Sequence, residues 1–234
     1  MSGYSRIALV GLTILIAGCK HTPVSILATG DSTMWGTQWD GQPLVPPTYT
    51  LQTLLKVPVE NVAVPGSTLN QLINGKAPFY RKKLKQVLDE SNASIVIENF
   101  GINDASLRKG VPLEQYKKDL QQFITMANEA GKIPVLEEPN RMCAPQASAD
   151  YLGRLDEYVL ALRKVAAANQ VVLIAQYDAL KQEYGEAYCS KLIDGFHPGR
   201  ELARAKGRNE AGAVYELVNN QVNRFTFKRL FAHF

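Results

Sequence analysis

Five short apolar runs punctuate the chain, and helical patterns fill the intervals between them. The runs are Val24–Thr29, Val57–Val64, Ser94–Phe100, Ile133–Glu137 and Val171–Ala175. They are rich in β-branched residues and mostly lack polar alternation. Parallel strands read this way because helices cover both faces of their sheet. Elsewhere the period becomes helical. Tyr116, Leu120, Phe123, Ile124 and Ala127 share one helical face, and Gly131 supplies a stop. Leu152, Leu155, Val159, Leu162 and Ala166 mark a second face. Val214, Leu217, Val218, Gln221 and Phe225 mark a third, with one polar lapse. Pro78 is placed to open a helix reaching Glu90.

This alternation predicts an α/β fold, a doubly wound three-layer α/β/α sandwich with about five mostly parallel strands. A chain of 234 residues suits one such domain, and no linker or internal repeat is visible. Ligands of these folds sit beyond the carboxyl ends of the strands. That places the loops Gly30–Thr48, Pro65–Thr68, Gly101–Ser106 and Pro139–Ser148 on one rim, with Ile193–Gly199 able to join them.

Composition changes this picture little. A hydrophobic fraction of 46% and a charged fraction of 21% are ordinary for a globular chain. The net charge of +4 is mild and dispersed, so no nucleic-acid partner is expected. The N-terminus says more. Arg6 precedes the apolar run Ile7–Ala17, whose 11 residues at about 1.5 Å each cannot cross a hydrocarbon core of about 30 Å. Such a run reads as an export signal over residues 1–18. "IAGC" at 16–19 also resembles the lipobox of bacterial lipoproteins. That resemblance implies lipid on Cys19, a short tether over 19–23 and a folded domain over 24–234. The alternative is an ordinary cleaved signal with an incidental Cys19. Lys20 stands where an aspartate commonly retains lipoproteins in the inner membrane. The resemblance therefore implies the periplasmic face of the outer membrane in a two-membrane bacterium. Five extended steps from Cys19 span at most about 17 Å, which would hold the body close to the bilayer. Cys143 and Cys189 then remain, either as a disulfide in an oxidising compartment or as two separate thiols.

The rim carries the candidate chemistry. "ATGDSTMWG" at 28–36 places Ser32 directly after the first strand. A serine hydroxyl is a weak nucleophile without a nearby base. The chain has three histidines; His21 adjoins the proposed anchor and His233 is penultimate, which leaves His197 in "DGFHP" at 194–198. Asp194 can fold back through the turn and accept from Nδ1–H, leaving Nε2 free to take the serine proton. Donors for a developing oxyanion are available from the Gly66 N–H in "VPGST" and the Asn103 amide in "FGIND". Each piece alone also fits an ordinary turn; the combination, in this order and after these strands, points to acyl transfer.

Together these stretches resemble the SGNH hydrolases, the GDSL-type esterase and lipase superfamily. "GDST" at 30–33 matches the nucleophile motif, Gly66 the second-block glycine, "GIND" at 101–104 the GxND motif and "DGFHP" the DxxHP motif. Thr33 replaces the leucine of the GDSL name. The resemblance implies a flavodoxin-like fold, with Ser32 as nucleophile, His197 as base and Asp194 as its partner. It also implies an oxyanion hole built from the Ser32 N–H, the Gly66 N–H and the Asn103 side chain. Asp31 and Asp104 read as loop braces. No spacing suits a metal, no Gly-rich loop suits a phosphate, and no cofactor is expected.

The expected activity is a serine esterase acting on carboxylic esters with small acyl groups, with O-acetyl groups on envelope glycans as the specific expectation. Passing the acyl group to an alcohol, as an acyltransferase, or binding glycans without catalysis are the alternatives. Trp35 and Trp39 either line a sugar site or pack the long loop onto the body. Arg141 either pairs with an acidic substrate group or serves structure. The aromatic, basic tail 225–234 either docks on its own domain or meets lipid or a partner.

Overall fold

The computed structural model describes residues 24–36 and 45–231, with side chains as far as Val222. Residues 1–18, Cys19 and its tether, Trp39 and the side chains of the tail lie outside the described residues.

Strands β1 (Ile26–Gly30), β2 (Val59–Asn61), β3 (Ile95–Asn99), β4 (Ile133–Glu137) and β5 (Val172–Ile174) form one sheet in the order β2-β1-β3-β4-β5. Every pairing is parallel. β2 is shorter than its apolar run, although the Val62 and Val64 N–H groups still reach the Ala28 and Gly30 carbonyls at 2.9 Å. The helices are α1 (Ser32–Trp35), α2 (Pro47–Leu55), α3 (Leu69–Asn74), α4 (Leu84–Glu90), α5 (Leu113–Glu129), α6 (Ala149–Asn169), α7 (Tyr177–Tyr184) and α8 (Arg200–Phe231). A 3-10 segment, Gly185–Lys191, follows α7.

Successive strand residues point to opposite faces, which sorts the core into two layers. On one side Leu27, Val96 and Leu136 pack with Leu72, Leu88, Phe123 and Leu162 from α3, α4, α5 and α6. On the other, Ile26, Ala28, Ile97, Val135 and Ile174 pack with Leu51 of α2 and with Val214 and Val218 of α8. Each fully buried leucine or isoleucine contributes about 1.5–3 kcal/mol relative to exposure, so both layers are needed to hold the sheet. The α2–α8 crossing depends on Gly207, where a Cβ would stand 2.3 Å from the Pro47 carbonyl oxygen. Cys143 and Cys189 form a disulfide across a sequence separation of 46, which in the chain-entropy model stabilises by about 4 kcal/mol.

Pro78 does not open the helix that the sequence suggests. Tyr80 is drawn into the core, where its hydroxyl meets Ser67 Oγ at 3.1 Å and the Gly30 carbonyl at 3.4 Å. The helix begins at Leu84, after the Gln86 side chain accepts the Lys83 N–H at 3.0 Å. The long rim loop is also more regular than its composition suggests, since it contains all of α1 and the start of α2.

Candidate active site

β2 lies outside β1 and β4 outside β3, so the chain leaves the adjacent strands β1 and β3 toward opposite edges of the sheet. This reversal opens a crevice beyond the two strand ends. Ser32 enters it from the end of β1, and Asn103 from the loop after β3.

Asp31 organises both. It caps α1: its Oδ1 accepts the Thr33 N–H at 2.9 Å and lies 3.0 Å from the Thr33 hydroxyl. Its Oδ2 accepts from Asn103 Nδ2 at 3.1 Å, which leaves the second amide hydrogen for another acceptor. Burial pushes the Asp31 carboxyl up, against the opposing pull of the Thr33 donors, Lys206 and His197. Thr33 Oγ1 also lies 3.0 Å from Asn99 Oδ1, so the threonine that departs from the GDSL pattern ties α1 to the end of β3. Asp104 accepts the N–H groups of Leu69 (3.0 Å) and Gly101 (3.2 Å), closing the asparagine loop onto α3. Burial raises its carboxyl to about 7 even against those donors.

The segment before α8 supplies the histidine. Leu192 and Pro198 pair as an antiparallel bridge, and the Ile193 N–H donates to the His197 carbonyl at 2.9 Å, closing the turn between them. Within it, Asp194 Oδ1 accepts the N–H groups of Phe196 (3.0 Å) and His197 (2.9 Å), while Oδ2 lies 2.7 Å from His197 Nδ1. Burial pushes the Asp194 carboxyl up, but these donors together outweigh it and hold the group below its ordinary range. His197 Nε2 stands 2.8 Å from Ser32 Oγ. With Nδ1–H donated to the carboxylate, Nε2 carries the lone pair that can receive the serine proton.

Ser32, Asn103 and His197 line a cleft of about 610 Å³ whose walls include Leu107, Gln146 and Tyr151. Gly66 sits in a turn beside the crevice with φ +75°, a conformation that favours glycine. It follows Val64, which is bonded to Gly30, and it is not among the residues lining the cleft.

Two of the candidate substrate residues do not line this cleft. Arg141 does not face the cleft; its guanidinium lies 3.1 Å from Asp178 and stacks 4.2 Å from the Tyr177 ring centroid, bracing α7. Trp35 lies outside the cleft too, 42% exposed, because Thr33 and Met34 occupy the buried side of α1.

A buried polar layer beneath the site has no counterpart in the sequence reading. Lys206 is completely buried, with Nζ 3.4 Å from Glu137 Oε1 and 3.3 Å from Asn99 Oδ1. Glu137 Oε2 and both Glu210 oxygens are buried without a donor. A proton held on Glu210 supplies one toward Glu137, and burial with the neighbouring Glu137 charge holds that carboxyl well above its ordinary range. The one signal was two carboxylates, Glu98 and Glu137, at the ends of apolar runs.

A sandwich carrying serine, histidine and aspartate in one hydrogen-bonded row at its switch point belongs to the class of SGNH/GDSL-type serine ester hydrolases. The chain is a member of the GDSL-like lipase/acylhydrolase family, whose model matches residues 28–205. No curated protein matches it in sequence. Solved structures share the fold. A lipase/acylhydrolase from Enterococcus faecalis has 21% identity and a TM-score of 0.64, with 82% of this chain and 95% of that one covered. A carbohydrate acetylesterase family member from Sinorhizobium meliloti has 20% identity and a TM-score of 0.64, covering 84% and 99%. A catalytic mutant of an acetylxylan esterase from Geobacillus stearothermophilus has 16% identity and a TM-score of 0.62, covering 83% and 94%.

Proposed function

We propose that the chain hydrolyses carboxylic esters with small acyl groups through an acyl-serine intermediate, with O-acetyl groups on envelope glycans as its substrates. The row from Ser32 through His197 to Asp194, at 2.8 and 2.7 Å, carries this reading. In the first half-reaction Ser32 Oγ attacks the ester carbonyl while His197 Nε2 takes its proton, and Asp194 stabilises the imidazolium. The Ser32 N–H, the Gly66 N–H and the free Asn103 amide hydrogen receive the oxyanion. Collapse expels the alcohol with the proton from His197. Water, activated by the same ring, then releases the acid and restores the serine.

Hydrolysis rates on p-nitrophenyl esters from acetate to octanoate test the reading. The expected result is a maximum at acetate, falling with chain length; equal rates across the series reject the small-acyl preference. Asn103→Ala should lower kcat on acetate by about 10²–10³-fold with little change in KM, because its donor acts on the developing charge. An equal loss confined to KM would place Asn103 in ground-state binding instead. Release of acetate from acetylated xylan and from acetylated peptidoglycan then narrows the glycan, a choice informed by the acetylesterase names among the structural neighbours.

We also propose that lipid on Cys19 anchors the domain to the envelope, on the strength of "IAGC" after an apolar run. Wild-type protein should sediment with membranes, and Cys19→Ser should appear in the soluble fraction; equal sedimentation rejects the anchor.

A further inference from the structure

One wall of the cleft is formed by the loop between Asn103 and α5, and its construction is unusual for a connecting segment. Three side chains from one face of α6 hold its carbonyls. The Tyr151 hydroxyl donates to the Ile102 carbonyl at 2.6 Å, Arg154 Nε to that of Ala105 at 2.9 Å, and the Tyr158 hydroxyl to that of Val111. Residues three and four apart on a helix share a face, so one surface of α6 braces the loop near its start, middle and end. Inside the loop the Ser106 N–H donates to the Asn103 carbonyl and the Lys109 N–H to that of Ser106, both at 3.0 Å.

The braced loop presents Arg108 and Lys109 to the cleft. Lys109 lies 4.7 Å from the Phe79 ring centroid, a contact that holds the ammonium without neutralising it. Arg108 is exposed and makes no ion pair or hydrogen bond among the described residues. Among the described residues, no aspartate or glutamate lines the cleft. The described carboxylates beside the crevice are already engaged: Asp31 with Thr33 and Asn103, Asp104 with Leu69 and Gly101, and Asp194 with His197. The wall beside Ser32 therefore carries two cations and, among the described residues, no compensating acid, on a loop with little freedom to move them away.

From this geometry we infer that the substrate is itself an anion: the ester is borne on a glycan with a carboxylate close enough to the acylated hydroxyl to meet Arg108 and Lys109. The inference rests on the esterase reading above and specifies the portion of the substrate that leaves Ser32 as the alcohol. An Arg guanidinium with an open fork suits a carboxylate bidentately, and the lysine adds a point charge beside it. Ser106, Gln146, Ser148 and Tyr151 around the same cleft offer hydroxyl and amide groups to the hydroxyls of a sugar, beside the apolar side chains of Ile102, Leu107 and Phe196.

The test compares 4-acetoxybenzoate with its methyl ester, a pair that differs by one negative charge, and then acetylated polygalacturonate with acetylated neutral xylan. Wild-type protein should favour the anionic member of each pair in kcat/KM. Arg108→Gln should reduce that preference about fivefold, and Arg108→Gln with Lys109→Gln about tenfold, the range expected of partly screened charge pairs. Arg108→Glu should reverse it. The preference should also decline between 0.1 and 1 M salt, as the screening length falls from about 10 to about 3 Å. Hydrolysis of both small esters with a ratio that these substitutions and salt leave unchanged overturns the charge inference alone. Hydrolysis of neither overturns the esterase reading and this inference with it. Cleavage of an anionic phospholipid at a higher kcat/KM than acetylated polygalacturonate overturns the assignment to a glycan.

Discussion

Ser32→Ala is expected to lower kcat/KM on p-nitrophenyl acetate by about 10³-fold or more, with fluorophosphonate labelling abolished. The size follows from what is removed and what remains. The mutant keeps the donors proposed for the oxyanion, the N–H at position 32, the Gly66 N–H and the Asn103 amide, so some stabilisation of attack by water is expected to survive. It lacks the hydroxyl that His197 Nε2 meets at 2.8 Å, and no other hydroxyl among the described residues bonds that nitrogen. Thr33, the adjacent hydroxyl, is turned away toward Asp31 and Asn99 and cannot substitute. Rates on the acetate ester within tenfold of wild type would reject Ser32 as the nucleophile. The fold should be unaffected, because Ser32 makes no core contact and the α1 cap comes from Asp31.

The largest expected effect on stability lies at Lys206. Lys206→Met should cost about 3–5 kcal/mol, the usual consequence of leaving a buried ionic partner alone. In a domain of this size that is roughly 10 °C in melting temperature, at about 2–4 °C per kcal/mol. Methionine nearly preserves the side-chain volume, so packing contributes little to the loss. The group left without its cation is the buried Glu137, whose Oε1 would keep only the Gln176 amide at 3.2 Å. Burial already holds this carboxyl above its ordinary range despite Lys206, so removing the cation drives it further toward the protonated form. Lys206→Met with Glu137→Gln should therefore recover most of the loss. A single mutant as stable as wild type would mean that Glu137 is already neutral in the native state. Differential scanning calorimetry of the wild type and the two variants decides it.

The strands were legible because burial on both faces leaves an unbroken apolar run, a local property of the sequence. The row Ser32–His197–Asp194 was legible for a different reason: scarcity. With three histidines in the chain and two at its extremities, the candidates for a base were few. What stayed hidden depends on partners far apart in sequence. Lys206 sits in "RELARAKGRNE", which reads as a solvated helix face; its burial is decided by Glu137 and Asn99, both far from it in the chain, together with Glu210 one helical turn away. Arg141 follows the same logic, since Asp178 and Tyr177 claim it from another element. Pro78 misled in the opposite direction: a favourable local signal yielded to Tyr80, whose hydroxyl is needed in the core. The cleft wall at Arg108 and Lys109 could not be distinguished from an ordinary basic loop until α6 was seen behind it.

Asp31 has a further consequence for how the site tolerates motion. One of its oxygens fixes the start of α1, on which Ser32 rides, and the other fixes the amide of Asn103. The two groups that must flank a reacting carbonyl thus share a single datum. When thermal motion shifts the end of β1 relative to β3, the carboxyl carries both along, and the displacement enters each position with the same sign. Their separation fluctuates less than either position does. A site referenced in this way keeps its dimensions across the small distortions of its sheet, without requiring the sheet to be rigid.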